Sequence, residues 1–158
     1  MPADAPFLTP AQLLDHWQGH RRLTRRVIEA FPDDEAFTTF SIGGMRPFSA
    51  MTDEMIRMAA PIARGVATGE WVRDDRAPVT SSASALERWD QATAEIDALW
   101  PTLDPEAFQQ VHKAFGQWEG PGHWQVLYAI DNETHHRGEG YVYLRALGGE
   151  PPQFPDRS

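Results

Sequence analysis

Apolar residues recur at three- and four-residue steps in four separate stretches of the chain, the spacing of one face of an α-helix. From about Thr9 to Phe31 the stripe is Leu13, Trp17, His20, Thr24, Val27 and Phe31. Thr9-Pro10 supplies a hydroxyl cap followed by proline at the first helical position, and Pro32-Asp33-Asp34 stops the run. Glu35 to Arg46 shows no such spacing and reads as a loop. A second helix is expected from near Pro47, with Phe48, Met51, Met55, Met58, Ile62 and Val66 as its stripe and Gly69 just past its end. Pro61 falls inside it and predicts a kink or a split. Glu70 to Thr80 is polar and predicts a surface connection.

The third helix is expected to open near Ser82–Ser84, where Ser84-Ala85-Leu86-Glu87 fits a capping box. Its stripe is Leu86, Trp89, Thr93, Ile96, Trp100 and Leu103, and Pro101 marks its end. Asp104 to Gly122 fits either a short helix or an extended excursion across the end of the molecule. The fourth helix is predicted from about Gly122 to Leu147, stopped by Gly148-Gly149 and Pro151-Pro152. Its apolar positions fall on two faces, one of Ala129, Asn132, His136, Gly140, Tyr143 and Leu147, the other of Val126, Leu127, Ile130, Tyr141 and Leu144. A helix apolar on two sides is central in its own domain or shared with a partner, so a helix-mediated homodimer is expected; the alternative is that residues 104–122 cover the second face. Four long amphipathic helices without strand alternation predict an all-α four-helix bundle.

Composition narrows this picture. The 158 residues fit one domain spanning 1–158, and a hydrophobic share of 41%, with six Trp and eight Phe, suffices for a packed core. Acidic residues number 23 against 14 Lys+Arg, a formal charge of −9. That balance argues against a nucleic-acid partner, which selects a basic face. No apolar run approaches the roughly 20 residues of a membrane span, and Met1-Pro2-Ala3-Asp4-Ala5-Pro6 lacks the basic and apolar regions of a secretory leader. A cytoplasmic, non-membrane protein is expected. Without cysteine, there is no disulfide scaffold and no thiolate nucleophile or ligand.

The densest polar cluster runs from Asp131 to Glu139. Asn132 and His136 are i,i+4 neighbours and share a face with Gly140 and Tyr143. Polar groups inside an apolar stripe are costly unless satisfied, so this pair reads as a metal or substrate site, or as a satisfied hydrogen-bond network. His16 and His20 form a second i,i+4 pair, but Trp17-Gln18-Gly19 between them lacks the glutamate of a zincin-type motif; His20 reads as a core histidine and His16 as a surface one. Glu54 flanks the methionine-rich stripe and by itself reads as a solvated carboxylate, and Asp53 and Asp131 as ordinary charges. Phosphate loops and the G-x-S-x-G elbow are absent.

The run Asn132-Glu133-Thr134-His135-His136-Arg137-Gly138-Glu139, followed by Tyr141-Val142-Tyr143-Leu144-Arg145-Ala146-Leu147-Gly148 and Pro151-Pro152, resembles the C-terminal helix of the DinB-like proteins. These are DNA-damage-inducible helical bundles related to thiol-dependent transferases, whose pattern there is H-x-x-x-H-R-G-Q. The resemblance implies a four-helix bundle over the whole chain and a divalent metal held by three histidines. Carried over position by position, the second histidine of H-x-x-x-H is His136, the first falls on Asn132, and the one on the second helix falls on Glu54; Glu139 replaces the glutamine. A Glu54/Asn132/His136 set offers more oxygen than nitrogen and shifts preference from Zn²⁺ toward Mn²⁺, Fe²⁺ or Mg²⁺, with Ni²⁺ also open. His20 is a further candidate ligand, and His135, roughly 100° around the helix, faces elsewhere. Arg137 and Arg145 are expected to pair with acidic neighbours. The resemblance implies a metal-assisted thiol transfer or hydrolysis, any thiol coming from a small-molecule cosubstrate. The competing expectation is a non-catalytic dimeric stress-response protein with a degenerate site.

Overall fold

A computed structural model describes residues 7–158, so the expectation about a leader at Met1–Pro6 lies outside the described residues. The chain is mostly helical. Helix α1 spans Pro10–Glu29. Thr9 Oγ1 accepts from Gln12 N at 3.2 Å and Gln12 Oε1 accepts from Thr9 N at 2.9 Å, a reciprocal capping box.

The expected loop at 35–46 begins instead with a short helix, α2, over Asp34–Thr39. Asp33 caps it by accepting from Ala36 N at 2.7 Å, and Asp34 and Glu35 suit the positive end of its dipole. Helix α3 runs unbroken over Phe48–Thr68. Of the kink or split expected at Pro61, the split does not occur: the proline costs one backbone bond, and the buried residues around it, Ala59, Ala60, Ile62 and Ala63, hold the helix by packing. Gly69 ends it at φ +78°, a left-handed position that glycine takes without steric cost.

Helix α4 spans Ser82–Leu99. Its capping box is Ser81 with Ser84 rather than Ser84 with Glu87: Ser84 N donates to Ser81 Oγ at 3.0 Å and Ser81 N to Ser84 Oγ at 3.1 Å. Ser81 is extended, at φ −155°, and caps the helix three residues before Ser84; the start at Ser82 falls within the expected range. Two 3₁₀ turns follow, at Trp100–Thr102 and Pro105–Phe108.

The undecided stretch then forms an antiparallel hairpin, β1 at Val111–Ala114 and β2 at Trp118–Pro121. The all-α expectation is corrected by this small sheet. Strands of four residues are too short to show alternation. Helix α5 follows at once, over Gly122–Ala146.

Each long helix contacts two others: α1 touches α4 and α5, and α3 touches α4 and α5. The core is split in two along this group. One cluster includes Leu13, Trp17, Ile62, Ile96 and Val126 at the hairpin end. The other includes Val27, Phe37, Phe48, Trp89 and Tyr143.

Between them lies a polar band. Glu133 is 2% exposed and accepts from Thr24 Oγ1 at 2.8 Å and Trp17 Nε1 at 3.4 Å, with Arg21 at 3.6 Å and Arg137 at 4.0 Å. Helix α5 thus buries charge where two plain apolar faces were expected, and Leu127 of the predicted second face is exposed. Beyond α5 the tail returns to α1, where Arg26 pairs with Asp156 at 2.8 Å and Arg22 donates to the Arg157 carbonyl at 2.8 Å. Among the described residues no helix is long and apolar enough to cross a membrane.

Candidate metal centre

Asn132, His136 and Glu139 follow at helical steps on α5 and face α3 at Glu54. Asn132 Nδ2 donates to Glu54 Oε1 at 2.9 Å, and His136 Nε2 stands 3.2 Å from the same oxygen. The other ring nitrogen, Nδ1, lies 2.6 Å from Glu139 Oε2. The three residues singled out from the sequence are therefore brought together.

Arg46, just before α3, completes the group. Its guanidinium lies 2.6 Å from Glu54 Oε2 and 3.5 Å from His136 Nε2. Tyr143 holds the Arg46 backbone by donating to its carbonyl at 2.8 Å. Burial pushes the Glu54 carboxyl up, but hydrogen bonds from Asn132, Arg46 and His136 outweigh it and hold Glu54 below the usual carboxylate range.

Two features make the arrangement suited to a cation. Asn132 Oδ1 is buried without a hydrogen-bond partner among the described residues, an acceptor with nothing positive to meet. His136 lies between two carboxylates, Glu139 at Nδ1 and Glu54 at Nε2, and a cation at Nε2 would leave Nδ1–H to donate to Glu139. The donor atoms are two oxygens and one nitrogen, a set that divalent first-row ions and Mg²⁺ accept. Arg46 stands on the open side of Glu54 and is half exposed, so it has room to turn outward. A second, outer group shares two of these residues: single donor atoms of His135, His136 and Glu139 lie within 4.8 Å of one another. His135 itself is exposed, as expected, and its Nε2 is 3.7 Å from Glu139 Oε1.

His20 lies outside this centre. Its Nδ1 accepts from Arg137 at 2.8 Å and its Nε2 meets His16 Nε2 at 3.1 Å. Burial first, then Arg137, Arg157 and His16, lower its pKa to about 4. Arg137 pairs with Glu133 as expected, whereas Arg145 lies over the Tyr141 ring at 5.6 Å.

Several residues escaped the sequence reading. Glu133 is raised by burial, against the pull of Arg21 and Arg137. Asp53 is a buried pin between α3 and α4, paired with Arg57 and, at 2.9 Å, with Arg88. Each has an arginine four positions on, Arg57 and Arg137, a spacing that exposed pairs also show; linear spacing does not mark the partner from another helix, Arg88 for Asp53 and Arg21 for Glu133. Arg46 had a weak signal, a cation two residues before the start of the helix that carries Glu54.

Beside Glu54 opens a cavity of about 590 Å³ between α3, the hairpin and the first turns of α5. Arg46 and Glu54 line one side, and Phe115, Trp118, Trp124 and Tyr128 line another. Its size falls in the usual range for small-molecule sites.

No curated protein matches the sequence. Solved structures share the fold. A DinB-like protein from Bacillus cereus superposes with a TM-score of 0.74 at 17% identity, over 90% of this chain and 95% of that one. A DinB-like protein from Bacillus subtilis gives 0.72 at 17% identity, over 90% of this chain and 97% of the other. Residues 67–157 match the sequence model of the DinB family. That match takes in α4, the hairpin and the whole of α5, and the chain belongs to the DinB family.

Proposed function

We propose that the chain is a divalent-metal-dependent enzyme of the transferase or hydrolase type, with its metal held by Glu54, Asn132 and His136. The observation that carries this is the convergence of Asn132 and His136 on the Glu54 carboxylate, with Asn132 Oδ1 buried and without a hydrogen-bond partner among the described residues. Glu54 supplies the anionic oxygen, His136 Nε2 the nitrogen and Asn132 Oδ1 a neutral oxygen. Glu139 fixes the imidazole from Nδ1, the carboxylate–histidine arrangement that orients a metal ligand. A bound ion would act as a Lewis acid and lower the pKa of a coordinated water or thiol. With no cysteine in the chain, thiol chemistry would take its sulfur from a cosubstrate.

Elemental analysis of tag-free protein dialysed against Mn²⁺ tests this. About one ion per chain is expected, lost in His136→Ala and Glu54→Gln. Sub-stoichiometric metal that is the same in wild type and His136→Ala sinks the reading. One feature favours a second reading, a non-catalytic stress-response protein with a degenerate centre: the Arg46 guanidinium already neutralises Glu54. The two part on Arg46→Ala, which raises Mn²⁺ affinity if the guanidinium only guards the centre and leaves it immeasurable if the centre holds no ion.

The wider reading is one cytoplasmic domain over residues 1–158, a four-helix bundle that pairs with a second copy through α5. The exposed Leu127 and Val142 support the pairing, and a monomeric mass by light scattering at tens of micromolar would refute it.

A further inference from the structure

The cavity beside Glu54 has a chemistry of its own. Its outer wall is aromatic and exposed: Trp118 is 50%, Trp124 44% and Tyr128 49% accessible. Large aromatic faces left to water in a cluster mark a binding surface rather than a packing requirement.

The hairpin tip adds to this wall under strain. Phe115 takes φ +52°, a left-handed conformation that a bulky residue rarely adopts. That turn sets its ring against Trp71, at 5.5 Å, and Trp118, at 6.3 Å. Such outliers persist where the surroundings over-determine them, commonly at ligand clamps.

The charges around the cavity are unequal in what they have left to give. Asp53 is taken by Arg57 and Arg88, Asp74 by Arg76 and Arg88, and Glu54 by Arg46. Arg73 has no carboxylate within 4.0 Å among the described residues; it lies 5.2 Å over Phe115 and 5.8 Å over Trp118. Arg46, Arg57 and Arg73 equal in number the three carboxylates that line the cavity, and among these described charges Arg73 alone lacks an ion-pair partner.

We propose that this cavity binds a small anionic molecule with a flat apolar body, the body against Trp118, Trp124 and Tyr128 and the anionic end on Arg73. A carboxylate suits Arg73, because a guanidinium offers two parallel N–H donors and the aromatic faces behind it hold it in place. The unpaired Arg73 disfavours a cation, which an aromatic wall alone would also accept. The proposal rests on the metal-centred reading for one point only, that the end of the molecule remote from Arg73 lies toward Glu54 and is the part that reacts.

Isothermal titration with 2-naphthoate, its neutral analogue 2-naphthamide and the cation 2-naphthylmethylammonium tests the assignment. The expected order is naphthoate tightest, by about tenfold over the amide, the worth of one charge-assisted pair. Arg73→Gln abolishes that preference while leaving the amide unchanged, and Trp118→Ala weakens both. Equal binding of acid and amide, tighter binding of the ammonium, no binding of any probe at millimolar concentration, or a preference that survives Arg73→Gln would each overturn it. His136→Ala separates the two proposals. It removes the metal ligand yet is expected to leave naphthoate affinity within twofold; naphthoate binding by a wild-type chain that takes up no Mn²⁺ refutes the metal centre alone.

Discussion

His20 and His136 both follow a polar residue by four positions on an otherwise apolar stripe, and they meet opposite surroundings. His136 stands between two carboxylates, whereas His20 faces Arg137, Arg157 and His16 with Thr24 one turn on. The second setting has a consequence for pH. In the unfolded chain His20 takes a proton near 6.5, and in the folded one not until about 4. Above pH 6.5 both states are neutral there and the group adds no pH dependence. As pH falls from 6.5 toward 4, only the unfolded state gains the proton, so stability is lost across that window and levels off below it. His20→Gln keeps an acceptor for Arg137 and cannot titrate. The wild type is therefore expected to lose on the order of 2 kcal/mol more than His20→Gln between pH 6.5 and 4. Urea midpoints at half-unit pH steps measure this, and parallel curves for the two proteins would refute it. Linear spacing put both histidines on a buried face; which neighbour each meets depends on how α1, α3 and α5 are set against one another, and spacing along one helix carries no such information.

The same limit appears in the elements, with length deciding what could be read. The four long helices span five turns or more each, enough repeats for a stripe to stand out, and their predicted bounds fall within a few residues of those observed. Helix α2, six residues long, and the four-residue strands of the hairpin complete too few repeats. The capping box of α4, though not its start, was misplaced because two serines compete for the cap, and the choice rests on the extended backbone at Ser81. That choice is testable. Ser81→Ala is expected to cost about 1 kcal/mol of unfolding free energy, and Glu87→Ala no more than about 0.5 kcal/mol. The reverse order in chemical denaturation would return the cap to Ser84. Pro61 teaches a related lesson: a helix breaker in isolation is carried when the turns on both sides are buried.

At the scale of the molecule, mostly helical architecture was legible because every stripe needs a partner and four stripes can satisfy one another. The polar band across the middle was not, since Glu133 looks from the sequence like one more charge in a polar run. The band links α1, α4 and α5: Arg21 donates to Thr93 at 2.8 Å and lies 4.0 Å over Trp89, while Glu133 and Arg137 reach α1 from the other side. Removing Glu133 alone strands two buried guanidiniums, a change worth roughly 3–5 kcal/mol. Replacing the whole set is another matter. Stripes of leucine, alanine and methionine fit together nearly as well when one helix slides by a turn, but the Glu133 carboxylate meets Trp17, Thr24, Arg21 and Arg137 together at a single setting. The band then works as a ruler for helix register. Arg21→Met, Glu133→Leu and Arg137→Met combined should equal or exceed the wild type in urea midpoint, while its amide NMR spectrum broadens or doubles as alternative registers become populated. A single sharp set of peaks from that triple variant would show that the apolar stripes keep their own register, and that the buried charges buy the molecule nothing in uniqueness.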